Sequence, residues 1–221
     1  MTIETKNISE VQKKVMKECF EKFIHRDCKE ITMDGVAKAI SMSKRTIYEK
    51  FVNKEDMLGK TLKYYTTMHL NNIEFLENKY DNPFMKLLEI FFNAIYNISQ
   101  INISKIEDLK KFYPNIAFAL YEQRQTFLKG HLITLLQEAI NQKYIIDDLE
   151  PEYIINIIFE TADLNVHFNE KVKVLDTEYD RYRVHATRIF LLLKGMATEK
   201  GLVECEKFFK SIKENEFKAN Q

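Results

Sequence analysis

The sequence predicts an all-α fold, and three observations support this. Its 221 residues include only five Gly and three Pro, which leaves little of the turn chemistry that many-stranded folds need. Hydrophobic residues make up 45% of the chain, enough to bury a sizeable core. Apolar residues recur at steps of three and four over long segments, the spacing that places them on one face of a helix. We therefore expect helices throughout.

The N-terminal segment predicts one amphipathic helix. Apolar residues recur on a single helical face over residues 8–24, and Ser9 is suited to cap the start of this helix. A polar stretch at residues 25–30 then interrupts the pattern. We expect the helix to end there.

Two short helices are predicted next. Thr32 can cap a helix over residues 33–40, and Ser43 can cap another over residues 44–51. Only Ser41 and Met42 separate them, so the two helices must cross at a steep angle. This arrangement is a helix-turn-helix.

A long helix follows, from Lys54 towards Tyr80. Asn53 is placed to cap this helix. Asp56 stands three residues later, where its side chain can bond back to the backbone at the cap. At 1.5 Å per residue this helix would span roughly 40 Å, longer than a small domain is wide. We therefore assign residues 1–53 to a helix-turn-helix domain, extended by the start of the linking helix 54–80, and residues 81–221 to a larger helical domain.

The larger domain is predicted to contain six helices. Three begin at proline, which suits the first helical position, and one begins with an apparent capping box of Ser104 and Glu107. The segment IIDDL at residues 145–149 is predicted to be a loop, because a single short strand has no partner. The predicted ranges are 83–100, 104–111, 114–143, 151–168, 178–198 and 204–217.

Residues 32–58 read TMDGVAKAISMSKRTIYEKFVNKEDML, and this segment resembles the N-terminal signature of the TetR family of repressors. Ser41 departs from the signature, because the family usually has glycine in this turn; a side chain in a left-handed turn costs on the order of 1 kcal/mol. The positions that match are Thr32, Met33, Val36, Ala37, Ser43, Thr46, Ile47, Tyr48, Phe51, Lys54, Glu55 and Leu58.

The candidate DNA-binding residues are polar or cationic and lie at or near predicted helix starts: Thr32, Ser43, Lys44, Arg45, Thr46, Tyr48, Lys50 and Lys54. A recognition helix inserts its N-terminal residues into the major groove. Lys44 and Arg45 suit guanine edges or phosphates, and Thr46 suits a phosphate or a thymine methyl group. Tyr48 and Lys50 are placed one turn later, where contact with the sugar-phosphate backbone of DNA is favoured over contact with bases.

Lys54 begins the long helix, so its ammonium group and the helix dipole could meet on one phosphate. We expect Lys54 and Arg45 to be exposed. Other interpretations of the candidate residues stay open at this stage. Tyr48 could be a half-buried packing residue, Thr32 could be only a cap, and the three cations of the recognition segment could be a solvated face.

The resemblance also implies a mechanism. Proteins of this family are homodimers that bind a palindromic operator and release it when a small molecule in the second domain shifts the long helix. Excess apolar surface on residues 154–168 and 189–197 favours these two segments as the dimer interface. The aromatic and Met content of residues 64–136 favours a pocket for an apolar or aromatic effector, although a stripe such as residues 84–92 more often forms plain core.

Other function classes find less support. The formal net charge is zero, which permits an alternative: a helical interaction module that keeps the fold without binding DNA. A helical enzyme would need an acid and base in one cleft, and no such pair or catalytic motif is recognisable. We therefore expect no enzymatic activity.

The cysteines and histidines predict neither a metal site nor a cofactor. Cys19, Cys28 and Cys205 are widely spaced and read as ordinary reduced thiols. The histidines considered as ligands lack ligand spacing, and they are His69, His131, His167 and His185. Without an apolar stretch typical of a signal peptide or a membrane span, the expected location is cytoplasmic, with no membrane partner.

Overall fold

The computed structural model describes residues 8–99, 103–168 and 178–219, and the predicted all-α fold is confirmed over these ranges. A short 3-10 helix, Cys28–Glu30, separates the first two α-helices. The α-helices are α1 (Glu10–His25), α2 (Met33–Ala39), α3 (Lys44–Tyr48), α4 (Lys54–Glu77), α5 (Pro83–Ser99), α6 (Ile103–Phe112), α7 (Pro114–Asn141), α8 (Pro151–Phe168), α9 (Glu178–Met196) and α10 (Glu199–Ala219).

The first helices begin at the capping residues that the sequence predicted. The Ser9 hydroxyl accepts from the amide of Gln12 at 3.3 Å, and the Gln12 side chain accepts from the Ser9 amide at 3.1 Å. Thr32 caps α2 by accepting from the amide of Gly35 at 2.9 Å. These bonds satisfy amide groups that have no partner within their own helix.

The turn between α2 and α3 is left-handed at Ser41, whose φ is 54°. The amide of Met42 donates to the carbonyl of Ala37 at 2.9 Å, and that of Ser41 donates to Lys38 at 3.3 Å. These two bonds form a Schellman motif, in which glycine is the usual residue at the left-handed position. Serine occupies that position here, so the predicted left-handed turn is confirmed and its steric cost applies.

The chain divides into two compact units. Of the described residues, the first unit contains 8–72 and 103–127, and the second contains 73–99, 128–168 and 178–219. The core of the first unit joins α1, α2 and α3 to α6 and α7, because Leu109 and Ile116 pack in the same apolar cluster as Ile47 and Phe51. The sequence alone does not indicate that α6 and the start of α7 pack with the N-terminal helices. The assignment of residues 1–53 and 81–221 to two domains stays a prediction.

In the second unit, α5 packs against α9 and α10. The Phe92 ring lies 5.3 Å from the Phe208 ring and 5.2 Å from the Phe209 ring, measured between centroids. The apolar stripe of α5 is buried, which confirms its interpretation as core. Its members are Phe84, Leu87, Leu88, Phe91 and Phe92.

The loop after α7 meets the junction of α9 and α10 within the second unit. Residues 145–149 form a loop, as predicted. Ile145 nevertheless has a backbone partner, because it forms an isolated antiparallel bridge with Ala197. The amide of Thr198 donates to the Tyr144 carbonyl at 3.0 Å, and the Thr198 hydroxyl accepts from the Gly201 amide at 3.2 Å. Thr198 therefore caps α10, which begins five residues earlier than predicted.

Two other predicted details are wrong. The helix α3 ends at Tyr48 instead of residue 51, because the amides of Lys50 and Phe51 both bond to the Ile47 carbonyl, at 3.0 and 2.9 Å, and close a tight turn. Ser104 lies inside α6, which already includes Ile103. It therefore does not occupy the cap position of the predicted capping box.

Candidate nucleic-acid interface

The helix α3 presents its N-terminal turn to solvent while one side chain anchors it. Ser43 caps the helix, its hydroxyl accepting from the Thr46 amide at 3.1 Å and lying 2.8 Å from the Thr46 hydroxyl. Ile47 is 0% exposed and belongs to the core of the unit. Lys44, Arg45 and Tyr48 are exposed on the same short helix. The anchor therefore holds three candidate DNA-binding side chains facing outwards.

Both cations of this turn are paired with carboxylates. Lys44 forms an ion pair with Asp34, which lies in the first turn of α2. The Nε atom of Arg45 donates to Glu49 Oε1 at 3.2 Å. The side chains of Lys44 and Arg45 are nevertheless 65% and 90% exposed. Such exposed pairs contribute little to the stability of the fold.

The sequence interpretation did not include these two carboxylates. The spacing of Arg45 and Glu49, four residues on a helix, is a signal that could have identified their pair. Asp34 is ten residues from Lys44 in sequence, and only the crossing of α2 and α3 brings the two together. No local pattern would have revealed it.

The other candidates of this segment occupy different environments. Tyr48 is exposed over half of its surface, and Lys50 is exposed in the turn after α3. Thr32 is exposed, but its hydroxyl serves as the cap of α2. Thr46 is half-buried and bonded to Ser43.

Lys54 is half-buried, so the expectation of an exposed side chain is wrong. Its Nζ atom donates to the backbone carbonyl of Lys29 at 3.0 Å and lies 5.7 Å from the centroid of the Tyr113 ring. The side chain thus ties the start of α4 to the segment before α2. Tyr113 precedes α7 and is distant from Lys54 in sequence.

The start of α4 has the predicted cap. Asn53 Oδ1 accepts from the Asp56 amide at 2.8 Å, and Asp56 Oδ2 accepts from the Val52 amide at 3.0 Å. Asp56 also pairs with Lys60 at 2.8 Å. The ion pair of Asp56 and Lys60 therefore lies in the first turns of α4, beside Lys54.

An open groove of about 550 Å³ lies in the first unit between α4 and α7. Its lining includes the apolar residues Ile116 and Leu120 together with Gly59, and the polar residues Lys60 and Gln123. The groove overlaps the range 64–136 that the sequence favours for an effector, although four of its nine lining residues come from earlier in α4. The effector site stays a prediction.

The described residues contain no group of three or more potential metal ligands. All three cysteines are free and buried, and burial lowers the pKa of His69 below its usual value. The side chains of His167 and His185 lie outside those described. Among the described helices, none combines the length and the apolar character needed to cross a membrane.

Residues 18–60 match the family described as bacterial regulatory proteins, tetR family. This range covers the end of α1, all of α2 and α3, and the start of α4, which together carry the geometry described above. A search of curated proteins finds no match to the sequence.

Solved structures of transcriptional regulators share the fold. A TetR transcription regulator from Haloarcula marismortui has a TM-score of 0.71 at 13% identity, over 86% of this chain and 100% of that one. The fatty acid degradation regulator FadR from Bacillus halodurans has a TM-score of 0.66 at 18% identity, over 86% and 98%. The ketosteroid transcriptional regulator KstR2 of Mycobacterium tuberculosis has a TM-score of 0.56 at 16% identity, over 87% and 98%.

These matches confirm the resemblance that the sequence predicted. The local signature and the fold agree. The described residues have the all-helical fold of solved TetR-type transcriptional regulators, and residues 18–60, which contain the helix-turn-helix, match the family described as bacterial regulatory proteins, tetR family.

Proposed function

We propose that the protein is a ligand-responsive transcriptional repressor that binds a palindromic operator as a homodimer. One observation carries the DNA-binding part of this proposal: Ile47 is fully buried, while Lys44, Arg45 and Tyr48 of the same helix are exposed. A buried anchor with polar and cationic neighbours is what a recognition helix needs to enter the major groove in a fixed orientation.

Each side chain has a distinct role in the proposal. Arg45 reads a guanine through its planar guanidinium group, and Lys44 contacts a phosphate or a neighbouring base edge. Tyr48 and Lys50 contact the sugar-phosphate backbone. Two-fold symmetry presents the same helix to each half of the site, which makes the operator palindromic.

The response to a ligand is proposed from the packing of the first unit. Lys54 starts α4 and bonds to Lys29, whose own Nζ lies 4.1 Å from the centroid of the Phe112 ring at the end of α6. A displacement of α6 or α4 would therefore disturb the segment that precedes α2. Aromatic and Met residues favour an apolar effector. Two of the similar structures are described as a fatty acid degradation regulator and a ketosteroid transcriptional regulator.

The alternative is a helical interaction module that does not bind DNA. The carboxylates beside Lys44 and Arg45 favour it, because they neutralise both cations of α3. The two proposals differ in one measurable property. Contacts with phosphates release counterions, so DNA binding must weaken as salt increases.

A gel shift tests the proposal. Purified protein is titrated against a duplex from the region upstream of its gene at two salt concentrations, beside a Lys44→Ala, Arg45→Ala double variant. We expect salt-dependent binding by the parent and at least tenfold weaker binding by the double variant, since one base contact gives about 1 to 3 kcal/mol. Lys207→Ala is the matched control, because Lys207 is an exposed lysine paired with Glu204 at 2.7 Å in the second unit. A parent without salt-dependent DNA binding would favour the interaction module, whereas equal affinity of parent and double variant would refute the roles of Lys44 and Arg45.

A further inference from the structure

The carboxylate of Glu49 occupies an unfavourable place for stabilising α3. Glu49 is the C-cap of the helix, and a negative charge is least favourable at the C-terminal end of a helix. Arg45 precedes Glu49 by four residues, which is the less stabilising order for an ion pair on a helix. Stabilisation of α3 therefore does not explain why a glutamate stands at position 49.

We propose that Glu49 is a positioning residue that orients the guanidinium group of Arg45 for base reading, and so determines the specificity of the DNA-binding surface. This inference rests on the proposed function. It assigns to Glu49 a role in choosing the sequence that is bound, distinct from any contribution to the strength of binding.

The geometry of the pair supports orientation. Glu49 Oε1 bonds to Nε of Arg45 at 3.2 Å, and Nε is the guanidinium atom closest to the backbone. This bond does not use the two terminal amino groups. A bidentate contact with O6 and N7 of guanine needs a guanidinium fork held in one plane. A side chain that is 90% exposed would otherwise sample many rotamers and lose that freedom on binding.

The pair of Lys44 and Asp34 provides a comparison within the same surface. It is also an exposed ion pair, but an ammonium group is a compact charge without a plane to orient. Asp34 therefore competes with phosphates for Lys44 on any DNA sequence. Removing Asp34 should strengthen binding to all sequences alike, whereas removing Glu49 should change the preference among them.

The experiment measures the dissociation constant for the upstream duplex and for a scrambled duplex of the same composition. We expect Glu49→Ala to lower the ratio of the scrambled to the upstream constant by about 3- to 10-fold, a part of the discrimination that one bidentate pair provides. Asp34→Asn should lower both constants by about 2- to 5-fold and leave their ratio unchanged. Asp147→Asn controls for net charge, because Asp147 pairs with Lys143 at 2.7 Å in the second unit.

Glu49→Gln separates orientation from charge. Glutamine keeps an oxygen that can accept from Nε at the same reach, so this variant should retain most of the parental ratio although it lacks the charge. In an Arg45→Ala background, Glu49→Ala should have no effect on the ratio. Thermal unfolding of each variant checks that the fold is unchanged.

The possible failures are distinguishable. A parent that binds neither duplex overturns the proposed function and this inference together. A parent that discriminates between the duplexes, with a Glu49→Ala ratio equal to its own, overturns the inference alone. Equal losses of discrimination in Glu49→Gln, Glu49→Ala and Asp34→Asn would show a general charge effect and would also overturn it.

Discussion

The Nζ atom of Lys54 lies 3.0 Å from the backbone carbonyl oxygen of Lys29, to which it donates a hydrogen bond. The bond is made by a half-buried charged group, so its loss leaves a carbonyl without that partner. Lys29 is exposed, so water can replace part of the lost bond, and we expect Lys54→Ala to lower the free energy of unfolding by about 0.5 to 1.5 kcal/mol.

Urea denaturation followed by circular dichroism measures this effect. Lys50→Ala is the control, because Lys50 is exposed in the turn after α3 and its loss should change stability by less than about 0.5 kcal/mol. Equal midpoints for the two variants would contradict the role of Lys54. DNA-binding tests on Lys54 variants need this correction for stability, which the double variant of Lys44 and Arg45 avoids.

Ser41 adopts a left-handed conformation with φ of 54°, which is strained for any residue with a Cβ atom. We expect Ser41→Gly to raise the free energy of unfolding by up to about 1 kcal/mol, because relief of strain exceeds the added freedom of the unfolded chain. Ser41→Ala keeps the Cβ atom and should give no such gain. Differential scanning calorimetry of both variants decides the question, and a lower melting temperature for Ser41→Gly than for Ser41→Ala would refute it.

Gly201 lies against the chain that follows α7. A Cβ atom built on Gly201 would lie 2.1 Å from the Tyr144 carbonyl oxygen and 3.1 Å from Cβ of Ala197. Backbone must move to admit it, so we expect Gly201→Ala to destabilise the protein by about 2 kcal/mol or more.

Gly130 provides the matched control for Gly201. It lies within α7, and a Cβ atom there would meet nothing within 4 Å. Gly130→Ala should therefore stabilise the protein by about 0.5 to 1 kcal/mol, because alanine favours the helix. Thermal unfolding should show shifts of opposite sign for the two variants, and a shared sign would contradict the close approach at Gly201.

The proposed dimer interface on α8 and α9 can be tested at side chains that do not support the core. Ile158 is only 4% exposed and is unsuitable, since a charge there would disrupt the fold of the unit; Ile157 and Leu191 are 50% and 61% exposed. We expect an Ile157→Glu, Leu191→Glu double variant to be monomeric by light scattering while keeping its helical content. Phe118→Glu, on an exposed residue of α7, should stay dimeric. A dimeric double variant would reassign the interface.

The cysteines give a pH-dependent prediction. Burial raises the pKa of the Cys19 and Cys205 thiols from 9.0 to about 11 and also raises that of Cys28. The native state therefore holds these protons where the unfolded chain releases them, so the stability contributed by the neutral thiols declines as pH rises from about 9 to 11. A chromogenic thiol reagent at pH 8 should react slowly with native protein and rapidly after unfolding; fast native labelling would refute their burial.

Local signals account for what the sequence predicted well. Each of four capping side chains accepts from a backbone amide three residues later, so a short window of sequence is enough to identify them. They are Ser9, Thr32, Ser43 and Asn53. The start of α10 was predicted five residues too late, although Thr198 caps it through the Gly201 amide three residues later. Only the bond from the Thr198 amide to the Tyr144 carbonyl depends on distant sequence.

The site shows the same division between local and distant signals. The buried anchor Ile47 and the exposed Arg45 follow from helical spacing. The Lys54 ammonium group lies near the distant Tyr113 ring, and Lys44 pairs with Asp34 across the turn. Such contacts arise only after the chain has folded, so no pattern of neighbouring residues encodes them directly.

The helix α3 contains five residues, and this length has a consequence for folding. The entropy lost in forming a first helical turn is not recovered in so short a segment, and isolated helices shorter than about 12 residues are marginal in water. A peptide of this sequence should therefore show no helix by circular dichroism. The surface proposed to read DNA comes into existence only when Ile47 docks into a core supplied by other helices, which makes DNA recognition a cooperative property of the folded unit.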